Sequence, residues 1–538
     1  MVCSKNEYPR SRLTVKGPYA QQQRIHSMRN ISGDTGGQVA FEWARKRIDD
    51  CLLNHKTCKP PETTPLPTRI LDLTGDDFIK LYSTRNENER YVCLSHSWGG
   101  ITPCQTLKEN HERYQERIDL SDLPETFRDV VGYVRRLGIR FLWIDSLCIV
   151  QDDADDWRRE CVKMYSVYRN ATLTIAATKS KDSRSGLFAK VERQFLGQRV
   201  GDIDVTFDEE RSTQYTEKCD LFLRQTLYET HDAFHRHIPG DQGKLPLLDR
   251  GWVFQERLLS PRVLHFGSQE LVWECAEYSF CECQDVVNSV TTLKKEHSEQ
   301  TPSPKWWQEL VNDYSALKLT FPSDRLPALS GIAKEFQKHH SDQYIAGMWE
   351  SSIFQDMLWR VEGSNRNKKL AEWRAPSWSW VSVGGTISYE TNGFFGEGER
   401  LCEMLNIERT TVDGDPTSSL KSASMIISGC LTSCTIQHLP PKEGSGLWNC
   451  QLKHDERAVE CFPDYHLHLQ GHGNVPNGAN VYCLPLCHNF NGIYSLVLSR
   501  TNDELEIFER IGLLLEYGAQ RDESICTIGG EPRVIEVR

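Results

Sequence analysis

Tyr91-Val92-Cys93-Leu94-Ser95, Phe141-Leu142-Trp143-Ile144 and Ala171-Thr172-Leu173-Thr174-Ile175-Ala176-Ala177 are three short apolar runs spaced along one stretch of the chain. Continuous apolar runs of this length, without polar alternation, read as strands buried on both faces. Between the first two, Pro124 opens a helical pattern in which Phe127, Val130, Val131, Val134 and Leu137 share a face before Gly138 closes it. Between the second and third, the acidic run Asp152-Asp153-Ala154-Asp155-Asp156 suits the positive end of a helix that carries Trp157, Cys161, Met164, Tyr165 and Tyr168. Strand, helix, strand, helix, strand requires crossover connections. The stretch therefore predicts an α/β fold with a doubly wound, largely parallel, flavodoxin-like sheet, its three strands parallel neighbours under helices 124–137 and 155–169.

Outward from this core the signals thin. Phe41, Ala44, Ile48 and Leu52 recur at a helical period that ends near His55, before the breaker run Lys59-Pro60-Pro61. Ile70–Leu73 and Ile79–Tyr82 read as short strands, whereas residues 180–245 give few signals beyond Leu221-Phe222-Leu223. Gly251–Leu259 reads as a short helix followed by strands Val263–Phe266 and Leu271–Cys275. Lys294 to Lys305 is polar and linker-like, helical patterns run from Trp306 to about Val361, and short β-like runs follow Gly384. The expected organisation is a polar arm over 1–40, a first domain with its lead-in over 41–265, a mainly helical extension packed on it over 266–384, and a β-rich region over 385–538.

The 538 residues are 38% hydrophobic with a net charge of −12, which suits ordinary cores and excludes a disordered or fibrous chain. No clustered Lys/Arg dominates, so neither nucleic acid nor an anionic membrane is an expected partner. No apolar run approaches the ~18–20 residues of a membrane span, and the first residues lack the apolar core of a signal peptide. The 19 cysteines are scattered and odd in number, the usage of a reducing compartment. The sequon Asn170-Ala171-Thr172 opens a buried strand, where a glycan does not fit. These features together predict a cytoplasmic chain.

Ligands of doubly wound sheets gather beyond the carboxyl ends of the strands. Ser95, with His96, Ser97 and Trp98 behind it, stands at one such end, and Asp145 at another. A hydroxyl, an imidazole and a carboxylate converge there if the strands are neighbours; the plainer role is a helix or turn cap for Asp145 and loop amides for Ser95. A second group is Arg250-Gly251-Trp252-Val253-Phe254-Gln255-Glu256-Arg257, where Trp252 and Glu256 lie four apart on one helical face beside Arg250. An aromatic wall next to a carboxylate suits a sugar cation or an electron-poor ring, while a packed Trp with a surface Glu–Arg pair is the common structural alternative. Cys51-x3-His55-x2-Cys58 has metal-ligand residue types, which Cys281-x-Cys283 would complete, but the spacing is looser than paired zinc knuckles, so no metal is expected. No phosphate-binding Gly-x4-Gly-Lys-Ser/Thr loop or Gly-x-Ser-x-Gly elbow occurs, and Gly393–Gly398 is a glycine pattern in the wrong context.

Three blocks in order carry a family resemblance. Tyr91–Gly99, then Leu142–Asp153 with Trp157, Glu160, Met164 and Tyr168, then Arg250–Arg262 resemble the heterokaryon-incompatibility (HET) domain of fungi. Cys51, His55, Cys58 and Leu66–Arg69 upstream, and Asp324–Gly331 and Pro376-Ser377-Trp378-Ser379-Trp380 downstream, extend the likeness over about 40–385. His96 departs from it, since an aromatic such as Tyr is usual there. The resemblance implies a filamentous fungus, non-self recognition and programmed cell death. It also implies a remote relation to the Toll/interleukin-1-receptor (TIR) fold, some members of which cleave NAD with one glutamate four residues after a Trp. Trp252 and Glu256 reproduce that spacing.

Three classes of function follow. The first is a cell-death effector or regulator acting through protein contacts or self-association, for which Trp306-Trp307 could serve as an interface, although buried helix packing is the expected fate of at least one of the two. The second is an NAD glycohydrolase, with NAD as substrate rather than bound cofactor. In it Glu256 faces a ribosyl cation, Trp252 is the stacking wall, Ser95, Trp98 and Asp145 line the pocket, and Arg250 compensates the anionic dinucleotide. The third is a HET-like protein of a specialised-metabolite pathway.

Overall fold

A computed structural model describes the two-residue strands Val2–Cys3 and Thr14–Val15 and then the chain from residue 30, except 59–62, 101–103, 209–213, 226, 228–233, 235–244, 284–293, 295–302, 340, 363–365, 390–397, 441–448, 503–504, 527 and 529. Side chains of 203–208, 214–217 and 219–221 are likewise outside the described set. The chain forms two compact units, 1–300 and 301–538.

The first unit is built on a nine-stranded sheet. Its elements are α1 (Gln38–Asn54), β1 (Arg69–Asp72), β2 (Phe78–Ser83), β3 (Tyr91–Ser95), α2 (Glu125–Arg136), β4 (Phe141–Trp143), α3 (Ala154–Asn170), β5 (Leu173–Ala176), α4 (Gly251–Leu259), β6 (Arg262–Phe266), β7 (Leu271–Cys275) and β8 (Ser279–Cys281). The order across the sheet is β8-β7-β6-β5-β3-β4-β1-β2, with the two-residue strand Ile118–Asp119 at the far edge. As the alternating pattern predicts, β5, β3 and β4 are parallel neighbours, with Ala176 opposite Ser95 and Cys93 opposite Trp143. β6 continues the parallel centre beside β5.

The sheet is mixed rather than largely parallel. Both flanks are antiparallel: β1 and β2 form a hairpin whose first strand runs against β4, and β6, β7 and β8 turn back on one another. The physical reason is connection length. β1–β2 and β6–β7–β8 are joined by short turns, which permit only antiparallel pairing, whereas 45 or so residues between β3 and β4 make room for a crossover helix.

The strands of the centre are buried on both faces, and the parity of β3 shows how. Tyr91 donates its phenol to the carbonyl of Val167 at 2.6 Å, so the odd positions face α3. His96, at an even position just past the strand, meets Phe127 of α2 edge-on at 5.0 Å between ring centres. The two crossover helices thus lie against opposite faces, as right-handed connections running in opposite directions across the sheet, β3 to β4 and β4 to β5, demand. Local chemistry matches. Asp153 caps α3 by accepting from the amides of Asp155 and Asp156, and Gly138 ends α2 at φ +74°, a left-handed conformation that favours glycine.

Residues 198–223, nearly silent in sequence, form the hairpin Gln198–Asp208 and Gln214–Leu223. Of the linker-like stretch, Lys294 is described and buried, donating to the carbonyl of Arg257 at 2.6 Å, and Pro304 already begins a helix; residues 295–302 lie outside the described residues. Most of the Gly393–Gly398 pattern also lies outside them.

The second unit carries α5 (Pro304–Ser315), α6 (Pro327–His339) and a ten-stranded sheet, in line with the helical-then-β reading. Six strands, β9 (Thr432–Leu439), β10 (Asn449–His454), β11 (Arg457–Pro463), β12 (Asn480–Asn489), β13 (Gly492–Asn502) and β14 (Ile507–Tyr517), pair in a closed antiparallel ring. Of the two readings of Trp306-Trp307, interface or helix packing, the structure shows packing for both. Both indoles are buried: Trp306 stacks on Phe336 at 5.4 Å, and Trp307 Nε1 donates to the carbonyl of Gly347 at 3.0 Å. The α5 face that carries them is a core face, because Leu310, Val311 and Tyr314 continue it one turn later.

Candidate functional site

Ser95 ends β3 at an odd position and therefore points to the face that carries α3. Glu256 projects from α4, whose carboxyl end is fixed to the sheet by Ser260: its hydroxyl lies 2.7 Å from Thr174 Oγ1 of β5 and donates to the carbonyl of Glu256. The result is a direct contact, Ser95 Oγ donating to Glu256 Oε2. Two blocks separated by 161 residues meet at one hydrogen bond.

No arginine consumes this carboxylate among the described residues. Arg250, the residue before α4, donates to the carbonyl of His96 at 2.9 Å. Arg257 forks onto Glu274 at 2.7 and 2.5 Å. Arg262 turns to Cys51 and to the carbonyls of Thr172 and Cys58. Glu256 is left with a hydroxyl partner, Ser95. Burial pushes its carboxyl up to about 7, with the negative charge of Asp145 adding to the rise and Ser95, Arg250 and Tyr168 opposing it. A carboxylate held at this value exchanges its proton near neutrality, the property of a group built for acid, base or charge-stabilising work.

Asp145 stands at the carboxyl end of the neighbouring strand, first in the short helix Asp145–Cys148. Its Oδ1 accepts from the amide of Ser146 at 2.7 Å, which is the local turn role, and its Oδ2 accepts from Trp98 Nε1 at 2.9 Å, which is not. His96 Nδ1 lies 3.5 Å from Asp145 Oδ1. Burial lowers the imidazole pKa and favours its neutral form, and neither ring nitrogen makes a hydrogen bond among the described residues. Asp145 is the open member of the group, its side chain 21% exposed where that of His96 is 2% exposed.

Of the residues singled out in sequence, Ser95 and Glu256 are brought into contact. Trp98 is joined to Asp145, and Arg250 to the backbone beside Ser95. Trp252 is half-buried at the start of α4, one turn before Glu256 on the same helix face. Tyr168 escaped sequence reasoning as a site residue. Its spacing from Cys161 and Met164 marks it as core, and only the fold makes it one of the groups that lower the carboxyl of Glu256.

The structure corrects the argument about Cys51, His55 and Cys58. Their partner is Cys275 rather than Cys281 and Cys283, and all four are buried with ligand atoms within 4.8 Å of one another. Cys281 and Cys283 belong to a different group with Glu270.

Residues 91–256 match the family model described as Heterokaryon incompatibility protein (HET). That span begins with β3 and ends at the glutamate just described. Nothing among the curated proteins or the solved structures matches the chain.

Proposed function

We propose that the heterokaryon incompatibility domain matched over residues 91–256 hydrolyses the nicotinamide–ribose bond of NAD, in the manner of TIR-type glycohydrolases, to bring about incompatibility-linked cell death. One observation carries the reading: Glu256 is buried at the carboxyl ends of parallel strands, hydrogen-bonded by Ser95 and paired with no arginine among the described residues. A glutamate placed for structure alone would be expected in an ion pair, as Glu274 is with Arg257.

The chemistry follows from the group's charge. Cleavage of the glycosidic bond releases nicotinamide as a neutral ring that takes the bonding pair, and leaves an oxocarbenium-like ribosyl cation. An ionised Glu256 in a dry site stabilises that cation far better than water would. Water then attacks the anomeric carbon, and its proton passes to solvent, giving ADP-ribose. Ser95 holds the carboxylate in place. Trp252 supplies the ring wall, Trp98 and Asp145 contact the ribose from the open side, and Arg250 offsets the diphosphate.

The test is release of nicotinamide from NAD by the purified full chain. Because the ionised form of Glu256 is the working one, kcat/KM should rise with pH and level off above an apparent pKa near 7. Glu256→Gln should abolish turnover while leaving the fold intact, since it keeps the shape and removes the charge. If Glu256→Gln remains toxic in cells and no nicotinamide appears with the parent chain, the domain acts through protein contacts or self-association alone.

A further inference from the structure

Cys51, His55, Cys58 and Cys275 form a second chemical centre in the first unit, built from the lead-in helix and the antiparallel flank of the sheet. Cys51 lies in the last turn of α1, and His55 is the residue at which the backbone leaves that helix, at φ −84° and ψ 127°. Four residues apart, they face the same way. Cys58 follows on the outgoing chain, and Cys275 is the last residue of β7. Each offers one soft or borderline ligand atom, the four atoms lie within 4.8 Å of one another, and all four residues are buried. His55 Nδ1 and Cys275 Sγ are 3.4 Å apart. Tetrahedral zinc, with Zn–S near ~2.3 Å and Zn–N near ~2.0–2.1 Å, places its ligand atoms roughly 3.5–3.8 Å from one another.

A second observation points to an anion at the same place. Arg262 is completely buried, and no carboxylate pairs with it among the described residues. Its Nε donates instead to Cys51 Sγ at 3.2 Å, and its other nitrogens to the carbonyls of Thr172 and Cys58. A buried guanidinium without a counter-charge is costly. Three thiolates and one neutral imidazole around Zn2+ carry a net charge of −1, which is the counter-charge Arg262 lacks. The amide of Tyr278 donates to Cys275 Sγ at 3.3 Å, the kind of hydrogen bond that holds a ligating sulfur in position.

We infer that Cys51, His55, Cys58 and Cys275 bind one structural zinc ion that staples the end of α1 to the end of β7. The protein supplies all four ligands, so no position remains open for a substrate and the site is structural. On binding, three thiols lose their protons to solvent as three Zn–S bonds form.

The full chain, purified under reducing conditions in metal-free buffer, should carry about one zinc per chain by mass spectrometry. Cobalt exchanged into it should show the sulfur-to-metal charge-transfer and intense visible bands of a tetrahedral three-sulfur site. Cys58→Ser and Cys275→Ser should each lower the zinc content about tenfold or more, whereas the double change Cys281→Ser/Cys283→Ser should leave it. His55→Cys, which keeps four ligands, should retain the metal and add a sulfur signature to the cobalt spectrum, so the assignment does not depend on a variant that fails to fold. Arg262→Gln should weaken zinc affinity by roughly 10–100-fold. A folded, metal-free chain whose cysteines all titrate as thiols would overturn the assignment. So would a disulfide among the three cysteines, or zinc that is lost with Cys281 and Cys283 but kept in Cys58→Ser.

Discussion

Glu256 carries a stability cost beside the role proposed for it. Its carboxyl ionises near 4.5 in the unfolded chain and about 7 in the folded one, because burial and Asp145 oppose the charge. Below the lower value both states are protonated and nothing is lost. Between the two the unfolded state gives up a proton that the folded state keeps, so stability falls as pH rises, by about 3 kcal/mol in total once the folded group has also ionised. Glu256→Gln should flatten this part of the stability–pH curve, which denaturant titration from pH 4.5 to 8 measures directly. Asp145→Asn removes a charge that raises Glu256, so the pH profile of nicotinamide release should move to lower pH. The opposite sign holds at Glu274. The Arg257 guanidinium and His265 hold its carboxyl well below the usual range, a contribution present at neutral pH and lost on acidification. Glu274→Gln leaves Arg257 buried without its partner and should cost roughly 3–5 kcal/mol by equilibrium unfolding.

At the level of elements, the helices flanking the parallel centre hold the site by their ends. The start of α3 rests on the Asp153 cap, which satisfies two amides that the helix itself leaves open. Asp153→Ala should lower stability by about 1 kcal/mol in a denaturant midpoint experiment, with m unchanged. α4 is tied at its start by Arg250 to the loop after β3, and at its end by Ser260 to β5. These two ties fix the rotation of a nine-residue helix and hence the direction of Glu256. α1 belongs to the same logic, since its last turn ends in the cysteine–histidine centre beside β7.

In the molecule as a whole, the proposed site draws on residues 95–256 and lies within the first compact unit, and the second unit closes its own six-strand ring. Residues 1–300 expressed alone should therefore retain nicotinamide release, and residues 301–538 should show none. An assay of each half against the full chain checks both. No helix among the described residues is long and apolar enough to cross a membrane.

The sequence by itself determined the parallel centre. Continuous apolar runs alternating with amphipathic helices admit few arrangements, and β3, β4, β5 and α2 to α4 fall within a residue or two of where periodicity and capping put them. It also determined which residue types stand at strand ends, because strand ends are local features. The antiparallel flanks of the sheet, the burial of Trp306 and Trp307, and the hairpin over 198–223 were decided by tertiary structure. A short strand or an aromatic pair fits several environments, and only the surfaces facing it select one. The same holds for partnership. That Ser95 rather than an arginine meets Glu256, and that Cys275 rather than Cys281 joins Cys51, His55 and Cys58, depends on contacts across 161 and more than 200 residues. Spacing along the chain carries no information at that range, because the sheet, not the sequence interval, sets the distance.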